Sequence, residues 1–191
     1  MSFHRIYVDA RVGDTPLVDR ICGRVDAPVV TVENEKAVFR SVSASEDPIA
    51  FGKQVLFLTR NKGRFVRPCP GTRHYTCCLY EILHIGTYCT LDCSYCILQT
   101  YFHPPVLQFF VNQADMVADL DRLFSRGGRH RIGTGEFTDS LIWEPWTGLS
   151  HEIVPRFAAQ TGSVLELKTK TIAIESLENL HHNRKPLLPG P

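Results

Sequence analysis

An α/β fold built on parallel strands is predicted by three features of this 191-residue sequence. From Leu79 onward, segments of strand period alternate with segments of helix period, the pattern of βα units. The first sixty or so residues carry the same alternation on a smaller scale. An apolar share of 43% against 21% charged residues is what a packed core requires.

Taken in order, His4–Val12 alternates Ile6, Val8 and Ala10 against Tyr7, Asp9 and Arg11, the two-residue period of a strand. A short helix follows, with Thr15 suited to the N-cap, Pro16 to the first position, and Leu17, Val18 and Ile21 as its apolar face. Pro28–Val32 and Lys53–Thr59 read as further strands. Gly63, Pro68, Pro70 and Gly71 give Asn61–Thr76 the chemistry of a loop. Leu79–Thr87 is the first strand of the second part, and Cys89, Cys93 and Cys96 lie in the loop that leaves it. Gln113–Arg126 is the best-defined helix: Asn112 can cap it, Asp115 favours its first turn, and Gly127 can end it. Its stripe is Met116, Val117, Leu120, Leu123 and Phe124. Arg131–Gly135 is the second strand, a helix lies within Ser150–Gln160 despite Pro155, and Val164–Thr169 is the third strand. The expected organisation is a lead-in at 1–60, a basic Cys/Pro/Gly loop at 61–78, a core of three βα units at 79–175, and an unstructured tail at 176–191. His181 and His182 read as tail residues rather than ligands.

No stretch approaches the roughly 18 to 20 apolar residues that cross a bilayer, and MSFHRIYVDA lacks the apolar run of a signal peptide. A cytoplasmic protein with no membrane partner is expected. A net charge of +1 argues against a surface that is cationic all over. Between Asp47 and Glu81, however, there is no acid, while Lys53, Arg60, Lys62, Arg64, Arg67 and Arg73 supply six cations. That stretch reads either as a solvated loop or as a surface for phosphates.

Seven cysteines, with Cys77 beside Cys78 and the tight group Cys89, Cys93, Cys96, suggest metal or redox chemistry in a reducing compartment. A loop this short can bring three thiolates to one cubane cluster. Three ligands leave one iron open for a substrate or cofactor, as catalytic metal sites do. The spacing also fits a zinc site completed by Cys69, Cys77, Cys78 or His84.

The run GTYCTLDCSYCILQTYF carries the C-x3-C-x2-C pattern of the radical S-adenosylmethionine superfamily, with Tyr95 as the aromatic residue before the last cysteine. In the same order along the chain, CPGTRHYTCC, CSYCILQTYF, GTGEFTDSL and LELKTKT resemble the spore photoproduct lyase family, from about Arg64 to about Thr171. The resemblance implies a partial (β/α) barrel whose [4Fe–4S] cluster, on Cys89, Cys93 and Cys96, binds S-adenosyl-L-methionine and cleaves it to a 5′-deoxyadenosyl radical. Gly133, Thr134, Gly135 and Glu136 resemble the Gly-Gly-Glu element that holds the methionine ammonium. By the same resemblance Thr138 and Lys170 lie near the cofactor, Lys170 by its carboxylate. Cysteine loop, GTGE turn and Lys168–Lys170 should then meet at the carboxyl ends of the strands. DNA and an electron donor such as flavodoxin or ferredoxin are the implied partners, and the reaction implied is repair of a DNA photoproduct or a related reaction on nucleic acid.

Two departures from the family stand out. Glu136 falls where the family has a hydrogen-donating cysteine, and Ile97 where it has a tyrosine that relays hydrogen. After Thr171 the text becomes IAIESLENLHHNRKPLLPGP, where the family continues into further strands, so the barrel is expected to be incomplete at its C-terminus. The competing expectation is a truncated non-catalytic remnant or a zinc-binding module.

Overall fold

Two open sheets carry the chain, and neither closes into a barrel among residues 3–76 and 78–183, which the computed structural model describes. The mixed α/β class with parallel strands is as expected, while of the expected partial barrel no closed sheet is found among the described residues. Cys77 and residues 184–191 lie outside the described residues.

The first sheet contains β1 (Arg5–Asp9), β2 (Val29–Val32) and β3 (Val55–Thr59), close to the three strands read from the sequence. β1 runs parallel to both neighbours, with Ile6 opposite Val29 and Leu56. Successive side chains of a strand point to opposite faces. Ile6, Val8, Leu56 and Leu58 accordingly share a core with Leu17, Val18 and Ile21 of α1 (Pro16–Arg24). Tyr7, Val55 and Phe57 share another with Val38 and Val42 of α2 (Glu35–Ser43). The helix after β1 and the helix after β2 therefore cover opposite faces. Helix α2 and the short α3 (Pro48–Lys53) were not expected, although their caps were visible: Asn34 accepts from the Lys36 N–H, and Asp47 accepts from those of Ile49 and Ala50. Thr15 does not cap α1 through its side chain; its hydroxyl donates back to the Val12 carbonyl at 3.0 Å.

The expected strand Leu79–Thr87 is two strands. After β4 (Val66–Pro68), which occupies part of the expected loop, β5 (Tyr80–Leu83) pairs antiparallel with it. The chain then crosses through His84 and Ile85 into β6 (Gly86–Thr87), which joins the first sheet. There it pairs antiparallel with β7 (Leu107–Phe110), itself parallel to β3. The crossing needs a glycine: a Cβ on Gly86 would lie 2.4 Å from the Gln108 carbonyl oxygen and 3.0 Å from the Trp143 ring.

In the second sheet β5, β8 (His130–Gly133) and β9 (Ser163–Glu166) are parallel neighbours, as the βα reading expected. A four-residue helix α4 (Leu98–Tyr101) follows the cysteines. Helix α5 (Gln113–Ser125) connects β7 to β8 and ends before Gly127 at φ 68°. The short α6 (Glu144–Thr147) and α7 (Leu149–Ala158), which contains Pro155, connect β8 to β9. Trp143, fully buried, stacks obliquely on Phe109 with ring centroids 5.1 Å apart and joins both sheets in one apolar core. No helix of the described residues is long and apolar enough to cross a membrane.

Candidate metal centre

The loop that carries the cysteines begins with a residue in an unusual conformation. Tyr88 has φ 69°, a region that side chains other than glycine seldom occupy. It is held there from three sides: its ring is buried, its N–H donates to the Phe137 carbonyl at 2.8 Å, and its hydroxyl donates to the Ile49 carbonyl at 3.2 Å. Burial pushes its phenol up to about 12. The turn sends the chain off the end of β6 and sets Cys89 at the start of the loop.

Cys89 is buried, while Cys93 and Cys96 are half-buried, and all three are free thiols. Burial raises the Cys89 thiol, opposed by the backbone N–H groups of Leu91, 3.4 Å from the sulfur, and Asp139. Such donors favour a thiolate once a metal takes the proton's place. The remaining loop closes on itself: the Cys96 N–H and the Gln99 side-chain amide both donate to the Cys93 carbonyl, each at 3.0 Å. Lys53 is a further clamp. Its ammonium is buried, donates to the Leu91 carbonyl at 3.0 Å and pairs with Asp92. Lys53 therefore leaves the basic surface expected from the sequence. Tyr95 and Ile97 are mostly exposed.

The GTGE segment leaves β8 beside this loop. A Cβ on Gly133 would meet the Tyr80 hydroxyl at 1.6 Å, and one on Gly135 would meet the Lys168 Cβ at 2.7 Å. Both glycines thus make room for the protein's own β5 and the segment after β9. Thr134 and Thr138 are buried; the first donates to the Ser140 hydroxyl at 2.7 Å, and the second accepts from the Trp143 indole at 3.1 Å. Glu136 is half-exposed and faces Lys168 at 3.4 Å. Lys170 is exposed.

The sequence reading passed over the residue that ties these pieces together. Asp139 is buried, and its carboxylate accepts from the backbone N–H groups of Leu141 and Lys170, at 2.9 and 2.6 Å, and from the Thr169 hydroxyl at 2.9 Å. Its own N–H lies against the Cys89 sulfur. Cysteine loop, GTGE turn and the Lys168–Lys170 segment are thereby joined through one residue. In the sequence it is one acid among the hydroxyl residues that follow Phe137, and its burial is visible only in the structure.

Beside this centre is a cleft of about 460 Å³ whose walls include Cys69, Tyr75, Cys78, Ile97, Tyr101 and Phe137, with Glu136 at its edge. Arg67 does not project into solvent here; it lies 5.4 Å over the Phe137 ring and donates to Nδ1 of His84 at 2.7 Å. Because a guanidinium only donates, Nδ1 of His84 is an acceptor and its proton sits on Nε2. Desolvation, with the Arg67 charge, lowers this imidazole to about 3.

Among the described residues, no three His, Cys, Asp or Glu side chains gather closely enough to hold a single metal ion. The irons of a cubane sit on separate corners, so its thiolates stand wider apart than the ligands of one ion. The donors present are three free thiols on one loop, with two backbone N–H groups turned toward the buried one.

No family model matches the sequence, and no curated protein matches it. Solved structures do match in fold. A spore photoproduct lyase mutant with bound AdoMet and dinucleoside spore photoproduct superposes at a TM-score of 0.78 with 16% identity, covering 93% of this chain and 52% of that one. A second spore photoproduct lyase mutant matches at 0.74 with 16% identity, and one with dinucleoside spore photoproduct at 0.72 with 15%; each covers 93% of this chain and 53% of its own. This chain spans about half the length of those proteins, and over nearly all of its own length it has the fold of spore photoproduct lyase structures.

Proposed function

We propose that this chain is a radical S-adenosylmethionine protein, with a [4Fe–4S] cluster on Cys89, Cys93 and Cys96, that acts on a nucleobase. The observation that carries the reading is the junction at Asp139, which holds the cysteine loop against the GTGE turn and the Lys170 backbone. On this reading β5, β8 and β9 are the first strands of a (β/α) barrel core of that type, in the segment 79–175. The lead-in at 1–60 and the loop at 61–78 flank it. When bound, the cluster supplies the electron that cleaves S-adenosylmethionine to a 5′-deoxyadenosyl radical.

The protein's own residues bind and orient. Glu136 is placed at the rim with only a 3.4 Å contact to Lys168, so its carboxylate is available to the methionine ammonium. Lys170 is exposed while its backbone is pinned by Asp139, which suits it to a carboxylate. Gly133, Thr134, Gly135 and Thr138 shape the turn from within, and Tyr95 stands at the outer edge of the loop. The aromatic walls of the neighbouring cleft suit a flat base stacked out of its strand, as single-strand sites use tyrosine and phenylalanine. Flavodoxin or ferredoxin is the class of electron donor, and a reducing cytoplasm is the compartment that keeps the thiols free.

Anaerobic reconstitution with iron and sulfide tests the reading. A brown protein is expected, with an electron-spin signal that changes on adding S-adenosylmethionine, and with release of 5′-deoxyadenosine under a strong reductant. A colourless protein that takes up zinc instead would overturn it.

A further inference from the structure

The carboxyl ends of β1, β3 and β7 form a second site, remote in kind from the cysteines. Strand β1 lies between β2 and β3, and the helices that follow β1 and β2 cover opposite faces of the sheet. The connection from β1 to β2 and the return from β2 past β1 to β3 thus run in opposite directions over opposite faces. In open parallel sheets such a switch point opens a crevice at the carboxyl ends of the strands, where ligands bind.

A cleft of about 460 Å³ occupies that place. Five cations line it, Arg11, Arg60, Lys62, Arg64 and Arg122, against the two carboxylates Asp115 and Asp119. Several of the cations are fixed from behind. Asp9, fully buried at the end of β1, accepts from Nε of Arg11 at 2.8 Å and from the Thr59 hydroxyl at 2.9 Å. Buried Asp119 pairs with Arg122 and accepts from the Phe65 N–H at 2.6 Å. The loop between is fixed as well: the Asn61 N–H donates to the Asn112 side-chain oxygen at 2.8 Å, and the Asn112 amide donates back to the Asn61 carbonyl at 3.2 Å. Lys62 pairs with Glu35, and Arg60 reaches Asp115 only at 3.6 Å. Arg64 is exposed and has no ion pair among the described residues.

We infer that this cleft binds the phosphate groups of a nucleotide or an oligonucleotide. Arginines held by a carboxylate on one side present their remaining donors in a fixed direction, which is the geometry phosphate oxygens need. With Asp9 and Glu35 counted behind it, the cleft carries one cation more than its carboxylates, and Arg64 is the one with no ion pair among the described residues. Nothing in this site involves the cysteine loop, so it stands whether or not iron binds there.

The 191-residue chain, without iron or S-adenosylmethionine, is titrated with a labelled single-stranded oligonucleotide, with a mononucleoside triphosphate and with inorganic pyrophosphate. Binding is expected, and Arg60→Gln/Arg64→Gln should weaken it about tenfold or more while the thermal melt stays in place, since both side chains are exposed at the rim. If the oligonucleotide binds and its salt slope falls by roughly 0.7 for each lost contact, the phosphates belong to a polynucleotide. Tight binding of the triphosphate with no grip on the oligonucleotide assigns them to a free nucleotide. The inference is overturned if none of the three probes binds, or if Arg24→Gln, an exposed position in the last turn of α1 that does not line the cleft, weakens binding as much as the double variant does.

Discussion

At the carboxyl end of β1 a buried carboxylate, Asp9, holds a guanidinium and a hydroxyl, whereas beyond the carboxyl end of β8 a buried carboxylate, Asp139, holds backbone N–H groups and a hydroxyl. The two sheets share parallel strands and one apolar core, yet these choices make different sites. Fixing a guanidinium prepares a surface for anions. Fixing backbone leaves the side chains of the surrounding loops free, and around Asp139 those side chains are thiols, a carboxylate and an amine, the groups proposed above as ligands. The same carboxylate chemistry beyond the same end of a strand thus fixes a side chain in one place and backbone in the other, and the two proposed sites differ accordingly.

The largest expected effect breaks one half of this comparison and spares the other. Cys93→Ala should abolish retention of iron and colour after reconstitution, because each cysteine is one of only three proposed protein ligands. The melt of the iron-free chain should barely move, as Cys93 is only half-buried. Retention of full colour in this variant would remove the cluster assignment.

A smaller effect belongs to the first sheet. The Arg11 guanidinium beside Asp9 holds its carboxyl down at about 2, below the ordinary 3.8. A carboxyl with a lowered folded-state value contributes stability above its unfolded value and loses it as pH falls toward the folded value. Asp9→Asn should therefore cost about 2 kcal/mol at pH 7, and the cost should vanish between about pH 4 and pH 2 in urea titrations. His84 marks the second sheet in a separate window. Its folded-state value is lowered, so the unfolded chain takes up the proton first, and stability should fall as pH drops below about 6.5 toward about 3. His84→Gln should flatten that upper slope and leave the Asp9 window unchanged; an unaltered slope would show that burial does not keep this imidazole neutral.

The smallest effect is a control. Cys22 is half-buried on α1, packed against the core and far from the cysteine loop in sequence. Cys22→Ala should leave iron content unchanged and lower stability by about 1 kcal/mol or less. Loss of iron in this variant would mean that Cys22 and the cysteine loop are not separate in function.

Much of this arrangement was legible in the sequence because it is local. A period-two run located β1, the segments Pro28–Val32 and Lys53–Thr59 read as the strands that became β2 and β3, the amphipathic stripe located α5, and the cysteine spacing located the loop that carries the candidate ligands. What escaped reading depends on partners distant along the chain. The apolar run at Leu107–Phe110 has no clear period, and it is a strand because β3 and β6 flank it. Leu79–Thr87 reads as one continuous strand, and only packing against Gln108 and Trp143 shows why it divides. Lys53 looked like part of a cationic surface, since nothing local reveals that Asp92 and the Leu91 carbonyl take its charge indoors. Asp139 looked like one polar residue among several in a turn.

The short run from Tyr80 to Thr87 has a consequence for how the molecule comes apart. Its first half is hydrogen-bonded into one sheet and its second half into the other, with only His84 and Ile85 between. Neither sheet can lose this run without tearing bonds in its neighbour, so the chain behaves as one cooperative unit. Heating should produce a single calorimetric transition whose van't Hoff and measured enthalpies agree, and the amides of Ile82 and Thr87 should exchange with solvent together, at the rate of global opening.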